Sequence, residues 1–157
     1  MTKIREAQGA DILAMVDLME SRRNQLQSYQ PVFWNKAKDS AEKTVSWFEE
    51  LIVSDKAICL ICEEGDQFDG FLIATETPAP RVYDPGGATW TIDDFAVSQD
   101  SSWARTGGAL LRDVKERLKA NGVRQIVVVN VVNDLYQRQI LEEAGLDSTT
   151  LWFTQTL

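Results

Sequence analysis

The chain has 157 residues, the length of about one domain. At that size roughly 68–70% of the unfolded surface can be buried, so a core forms without disulfide or metal. Hydrophobic residues make up 44% and charged residues 25%, an ordinary globular composition. The 16 Lys+Arg against 24 Asp+Glu give a net charge of −8, which speaks against nucleic-acid binding and is compatible with a cationic substrate. There is no histidine, which excludes Ser-His and Cys-His mechanisms and His-containing metal sites, and no metal site is expected.

In chain order, Thr2–Arg5 reads as a strand. Gly9-Ala10-Asp11 opens a helix with Ile12, Leu13, Val16 and Met19 at helical spacing. Residues 21–38 are polar and aromatic, and Pro31 breaks any helix there. Ser40–Val53 is a second amphipathic helix with Val45, Phe48, Leu51 and Ile52 on one side. Ala57–Glu63 and Phe68–Glu76 are strands joined by a Glu64-Gly65-Asp66 turn. Cys59 and Cys62 form a CxxC, but three positions apart in a strand they point to opposite faces. Two reduced thiols of a cytosolic sheet are the plain reading, and a cytoplasmic location is expected. Pro78, Pro80, Pro85, Gly86 and Gly87 mark a loop before the strand Ala88–Val97.

Thr106–Ala120 has a helix pattern closed by Asn121-Gly122. Arg124–Val132 contains the continuous apolar run of a strand covered on both faces. Asn133–Ala144 is a helix with Asn133 as its cap and Gly145 as its end, and Leu151–Thr156 reads as a last strand. The order predicts a single α/β domain over residues 1–157, with one mixed sheet flanked by helices. No apolar run reaches the roughly 20 residues of a membrane span, and no membrane association is expected.

The segment Thr91–Leu111, TIDDFAVSQDSSWARTGGALL, carries the chemistry. It runs from a strand through a short polar loop into a helix, whose N-terminal amides can hold a pyrophosphate. Gly107-Gly108 serves that purpose or lets the helix pack closely on the sheet.

From Ile4 to the last strand, the chain resembles the GNAT superfamily of acyl-CoA N-acyltransferases. Locally, Ile92-Asp93-Asp94-Phe95-Ala96-Val97 is similar to the fourth strand of diamine and spermidine/spermine acetyltransferases, which reads roughly Leu-Glu-Asp-Phe-Phe-Val. Glu142-Glu143-Ala144-Gly145-Leu146 resembles the family's Tyr-Glu-Lys-x-Gly-Phe ending. The resemblance implies a sheet splayed between its fourth and fifth strands, acetyl-CoA as acyl donor, and direct acetyl transfer to a primary amine of a small molecule or peptide. A dimer of identical chains is common for this fold.

Residue by residue, the resemblance implies Asp93 as the general base and Asp94 as the group that attracts the ammonium or orders the strand, with a strand bulge letting both face one pocket. Without such a bulge, one carboxylate is solvated and the other caps a loop. The amides of Phe95, Ala96 and Val97 hold the thioester oxygen. The family's phosphate loop, Arg/Gln-x-x-Gly-x-Gly/Ala, matches Ser102, Trp103, Ala104, Arg105, Thr106 and Gly107, followed by Gly108, but only Gly107 keeps the pattern. Arg105 brings a cation to the phosphates or blocks them; Trp103 stacks on adenine or caps the core. Asn133 stands at the donor side, and Arg22, Arg23 and Arg112 meet phosphates or solvent. Tyr29, Phe33 and Trp34 form the acceptor wall or a cluster under a loop. Ile140 or Leu141 occupies the place of the family's acid tyrosine, and neither can give a proton. Loss of loop and tyrosine favours the alternative of a non-catalytic acyl-CoA-binding or interaction module.

Overall fold

A computed structural model describes residues 1–157. The strands are β1 (Thr2–Glu6), β2 (Ala57–Glu64), β3 (Gln67–Glu76), β4 (Thr89–Val97) and β5 (Gln125–Val128). The helices are α1 (Ile12–Tyr29), α2 (Ser40–Ile52), α3 (Gly108–Ala120) and α4 (Leu135–Glu143). The strands form one sheet in sequence order; neighbours are antiparallel except β4 and β5, which are parallel.

Alternation along the strands sends side chains into two cores. On one face Met15, Val16 and Met19 of α1 and Phe48 and Leu51 of α2 cover Cys59, Ile61, Phe71, Ile73 and Ala96. On the other face Leu110, Leu111, Val114 and Leu118 of α3 and Ile140 and Leu141 of α4 cover Leu60, Cys62, Leu72, Ile92 and Phe95. The two cysteines therefore lie on opposite faces, and both are free. No helix is long and apolar enough to cross a membrane.

The structure corrects the sequence reading in five places. α1 continues to Tyr29 and stops just ahead of Pro31, because Leu26 supplies another buried turn. Leu13 is 69% exposed, since it falls outside the Met15–Met19 stripe. β5 is four residues long rather than nine, and Val127 and Val129 are 44% and 41% exposed. α1 and α2 cover the other strands and leave that face of β5 open. Residues Leu151–Thr156 make no strand; Trp152 and Phe153 are 83% and 92% exposed, with no partner strand to satisfy their backbone. The cap of α4 is Asp134, not Asn133: its carboxylate accepts the Gln137 N–H at 2.9 Å.

Candidate active site

β4 and β5 pair from Thr89↔Gln125 to Ile92↔Val128, and the last bond runs from Val129 N–H to Ile92 O at 2.9 Å. Beyond it the strands separate while β4 continues to Val97, still paired to β3. The gap thus begins at Ile92, earlier than the end of β4. Just there the β3–β4 register shifts: Leu72 faces Phe95 and Ala74 faces Ile92, so Asp93 and Asp94 together oppose Ile73. This is a β-bulge, the device that lets two adjacent residues share a side of the sheet.

Both carboxylates feel the arginines of α1. Arg23 Nη2 lies 3.9 Å from Asp94. Burial, then the neighbouring Asp93 charge, pushes Asp94 up to about 6, with Arg23 and Trp47 partly offsetting the rise. Asp93 is open to solvent at the mouth of the gap yet flanked by protein; its pKa is raised by desolvation against the pull of Arg23 and Arg22. Past the bulge, Ser98 N–H donates to Asp69 O on β3. By strand alternation, the N–H groups of Phe95 and Val97 face away from β3 toward the opened side.

The connection from β4 to α3 is not an open loop. It winds through a 3-10 turn at Asp100–Ser102 and a π-helical turn at Trp103–Gly107 directly into α3. Asp69 ties it down from β3. Its buried carboxylate accepts hydrogen bonds from Ser98, Ser102 and Thr106 hydroxyls and from Arg105 Nη2, the last at 3.3 Å. Burial alone would raise Asp69, but these donors together hold it below the usual carboxylate range. Trp103 is buried and packs edge-on against Phe95 with ring centroids 4.9 Å apart, so it caps the core and is unavailable to an adenine ring. Gly107 is glycine for Trp103: a Cβ there would stand 2.6 Å from Trp103 Cε3. Ser102, Trp103, Thr106 and Gly107 thus look inward, and only Ala104, Arg105 and part of Gly108 remain accessible.

Sequence reasoning missed the polar bridge behind the gap. Arg22 of α1 is not solvated. Its Nη1 lies 2.7 Å from Asp134 Oδ2, both side chains are 9% exposed, and its Cζ sits 5.2 Å from the centroid of the Trp103 ring. α1 lies on one face of the sheet and Trp103 and α4 on the other, so Arg22 reaches across where β4 and β5 have parted. Arg22 Nη2 and Asn130 Nδ2 also donate to Gln137 Oε1. An arginine and an aspartate 112 positions apart give no local pattern that would have joined them.

A cavity of about 110 Å³ opens beside this bridge, lined by Arg22, Leu26, Tyr29, Asn133, Asp134 and Tyr136 among others. Tyr29 and Asn133 therefore line one cavity; Phe33 and Trp34 are not among its lining residues and pack edge-on against each other at 4.6 Å. Ile140 and Leu141 are both buried, and neither side chain carries a hydroxyl. Tyr136 also lines the cavity and is 55% exposed.

Solved structures share this fold. An acetyltransferase from Clostridium acetobutylicum, determined with acetyl-CoA, superposes with a TM-score of 0.73 at 16% identity over 99% of this chain and 96% of its own. The fold is that of the GNAT acyltransferases. Glucosamine-6-phosphate N-acetyltransferase from Arabidopsis thaliana gives 0.68 at 16% identity, covering 99% and 98% of the two chains. A transcriptional regulator from Bacillus halodurans C-125 gives 0.74 at 19% identity over the full length of both chains. No protein-family model and no curated protein sequence matches the chain.

Proposed function

We propose that the protein transfers an acetyl group from acetyl-CoA to the amine of a small molecule or peptide. The observation that carries this reading is the coincidence of two features at one point of the GNAT fold. The parallel pair β4–β5 opens after Ile92, and the bulge carrying Asp93 and Asp94 sits at that opening. Ligands of open α/β sheets bind where neighbouring strands part at their carboxyl ends. The pantetheine arm enters there, with the thioester oxygen toward the N–H groups of Phe95 and Val97. The phosphates lie outside the turn, against Arg105 and Gly108.

An ammonium must lose a proton before its nitrogen attacks. The geometry favours a division of labour within the acidic pair that differs from the one the family resemblance implies. Asp94, raised to about 6, has the basicity closer to the working range and takes the proton. Asp93, open to solvent, meets the incoming ammonium. The charge of Asp93 adds to the rise of Asp94, so the two carboxylates act as a pair. Its charge suits a small amine or polyamine.

The experiment is release of free thiol from acetyl-CoA with a panel of amines, run on wild type, Asp93→Asn and Asp94→Asn. Asp94→Asn should lower the maximal rate by roughly 10²–10⁴-fold, the usual contribution of a general base. Asp93→Asn should mainly raise the KM of the amine. Thiol release unaffected by either change would remove the acidic pair from the mechanism.

A second reading is favoured by the inward-facing turn Ser102–Gly107: an acyl-CoA-binding module without catalysis. It requires acetyl-CoA binding in a calorimeter with no amine acetylated at any pH.

A further inference from the structure

Gln137 is 1% exposed, and its side-chain nitrogen Nε2 has no hydrogen-bond partner. Its orientation is fixed by two donors on the other end: Oε1 accepts from Asn130 Nδ2 at 2.9 Å and from Arg22 Nη2 at 3.2 Å. A flipped amide would set its NH2 against both, so Nε2 is left as the free end. Buried donors without partners are rare in folded proteins, and such a group calls for an acceptor. The surroundings say where that acceptor lies. Arg22 reaches Gln137 through the gap between β4 and β5, Asn130 is where the chain leaves β5, and Leu141 follows one helical turn later on the same buried face of α4.

We infer that Gln137 Nε2 donates a hydrogen bond to the carbonyl oxygen of the acyl thioester held in that gap, with Asn130 and Arg22 as positioning residues. This rests on the acetyl-transfer reading above. When the amine nitrogen bonds to the carbonyl carbon, the C=O π pair moves onto oxygen, which becomes an alkoxide. A donor already aimed at that oxygen binds it more tightly once it is charged. Collapse re-forms the carbonyl, breaks the C–S bond and releases the CoA thiolate; Asp94 already holds the proton the ammonium gave up, and the second proton, lost from nitrogen as the amide forms, passes through water to the thiolate. An amide gives up no proton, so Gln137 stabilises charge and does not replace the absent tyrosine as an acid.

The test compares acetyl-CoA with free CoA, which lacks the acyl carbonyl, by calorimetry on the full chain. Gln137→Glu keeps an oxygen for Arg22 and Asn130 but turns the free end from donor to acceptor. Gln137→Met removes both ends. Added charge or altered packing acts on both ligands alike, so the readout is the ratio of the two affinities. That ratio should shift against acetyl-CoA by about tenfold in each variant, the size of one lost hydrogen bond. Asn130→Ala, which frees the amide to turn, should shift it in the same direction by a smaller factor. A ratio within twofold of wild type in both Gln137 variants, each unfolding cooperatively, overturns the assignment and leaves the acetyl-transfer reading standing. Wild-type protein that binds neither ligand removes that reading and this assignment together.

Discussion

Gly107 and Trp103 are fitted to each other: a Cβ on Gly107 would stand 2.6 Å from Trp103 Cε3, closer than any side chain tolerates. The glycine that resembles a phosphate-loop residue is thus required by the core. Gly107→Ala should lower the unfolding free energy by about 1–3 kcal/mol, the cost of overpacking. Shrinking the ring relieves the contact, so Gly107→Ala combined with Trp103→Leu should cost less than the sum of the two. Urea unfolding of the three variants measures this, and a neutral Gly107→Ala would contradict the packing.

Asp94 makes stability depend on pH. Its folded pKa of about 6 lies above the ordinary aspartate value of 3.8, so the folded state binds the proton more tightly than the unfolded one. Stability from this group is therefore present at acid pH and is lost as pH rises through about 4 to 6. Asp94→Asn carries no such charge and should be more stable than wild type at pH 7–8, on the order of 1 kcal/mol, with little difference near pH 4. Thermal unfolding across that range would show the difference close with acidification; a constant offset would mean that Asp94 ionises freely.

Activity should run the opposite way. As Asp94 loses its proton near pH 6, the rate of acetyl transfer should rise, and Asp94→Asn should lack that limb. Ile140 and Leu141 carry no hydroxyl, so the profile should level off without the alkaline fall of a tyrosine acid near pH ~10. Tyr136→Phe should retain the rate, since more than half of that residue is exposed to solvent. A fall at high pH that disappears in Tyr136→Phe would instead make Tyr136 the acid.

The bridge between Arg22 and Asp134 should be costly to break from one side. Arg22→Met keeps an apolar stem over Trp103 but leaves a buried carboxylate without its cation, an expected loss of about 3–5 kcal/mol. Adding Asp134→Asn removes the stranded charge and should recover part of it. Denaturant midpoints of the single and double variants decide this: a double variant weaker than Arg22→Met would show that Asp134 acts chiefly as the helix cap.

The thiols should be inert in the folded protein. Cys59 and Cys62 are both buried and face different cores, and burial pushes Cys59 up to about 12. An aromatic disulfide reagent should label neither quickly until denaturant is added, and no intramolecular disulfide should form. Rapid labelling of one thiol in buffer alone would contradict its packing.

Legibility in the sequence followed the range of the forces involved. Local patterns placed the start of α1, the whole of α2, the hairpin at Gly65, the opposite facing of the cysteines and the breakpoint at Gly122, because periodicity and turn chemistry act over a few residues. Composition alone placed the last strand, which the structure lacks. A β-rich segment becomes a strand only where an edge accepts its backbone, and Leu151–Thr156 finds none.

In the candidate site, the sequence by itself determined that Asp93 and Asp94 are adjacent in a strand, that the chain has no histidine and that Ile140 and Leu141 carry no hydroxyl. Only the tertiary structure decided the rest. The bulge opposite Ile73 turns the two carboxylates, and burial beside Asp93 separates Asp94 from ordinary carboxylates. Asp69 folds the would-be phosphate loop inward, and Arg22 crosses the sheet to meet Asp134 and Gln137. Each of these joins residues far apart in the chain. Such contacts are fixed by which side chains can be desolvated together, and a linear pattern of residues does not carry that information.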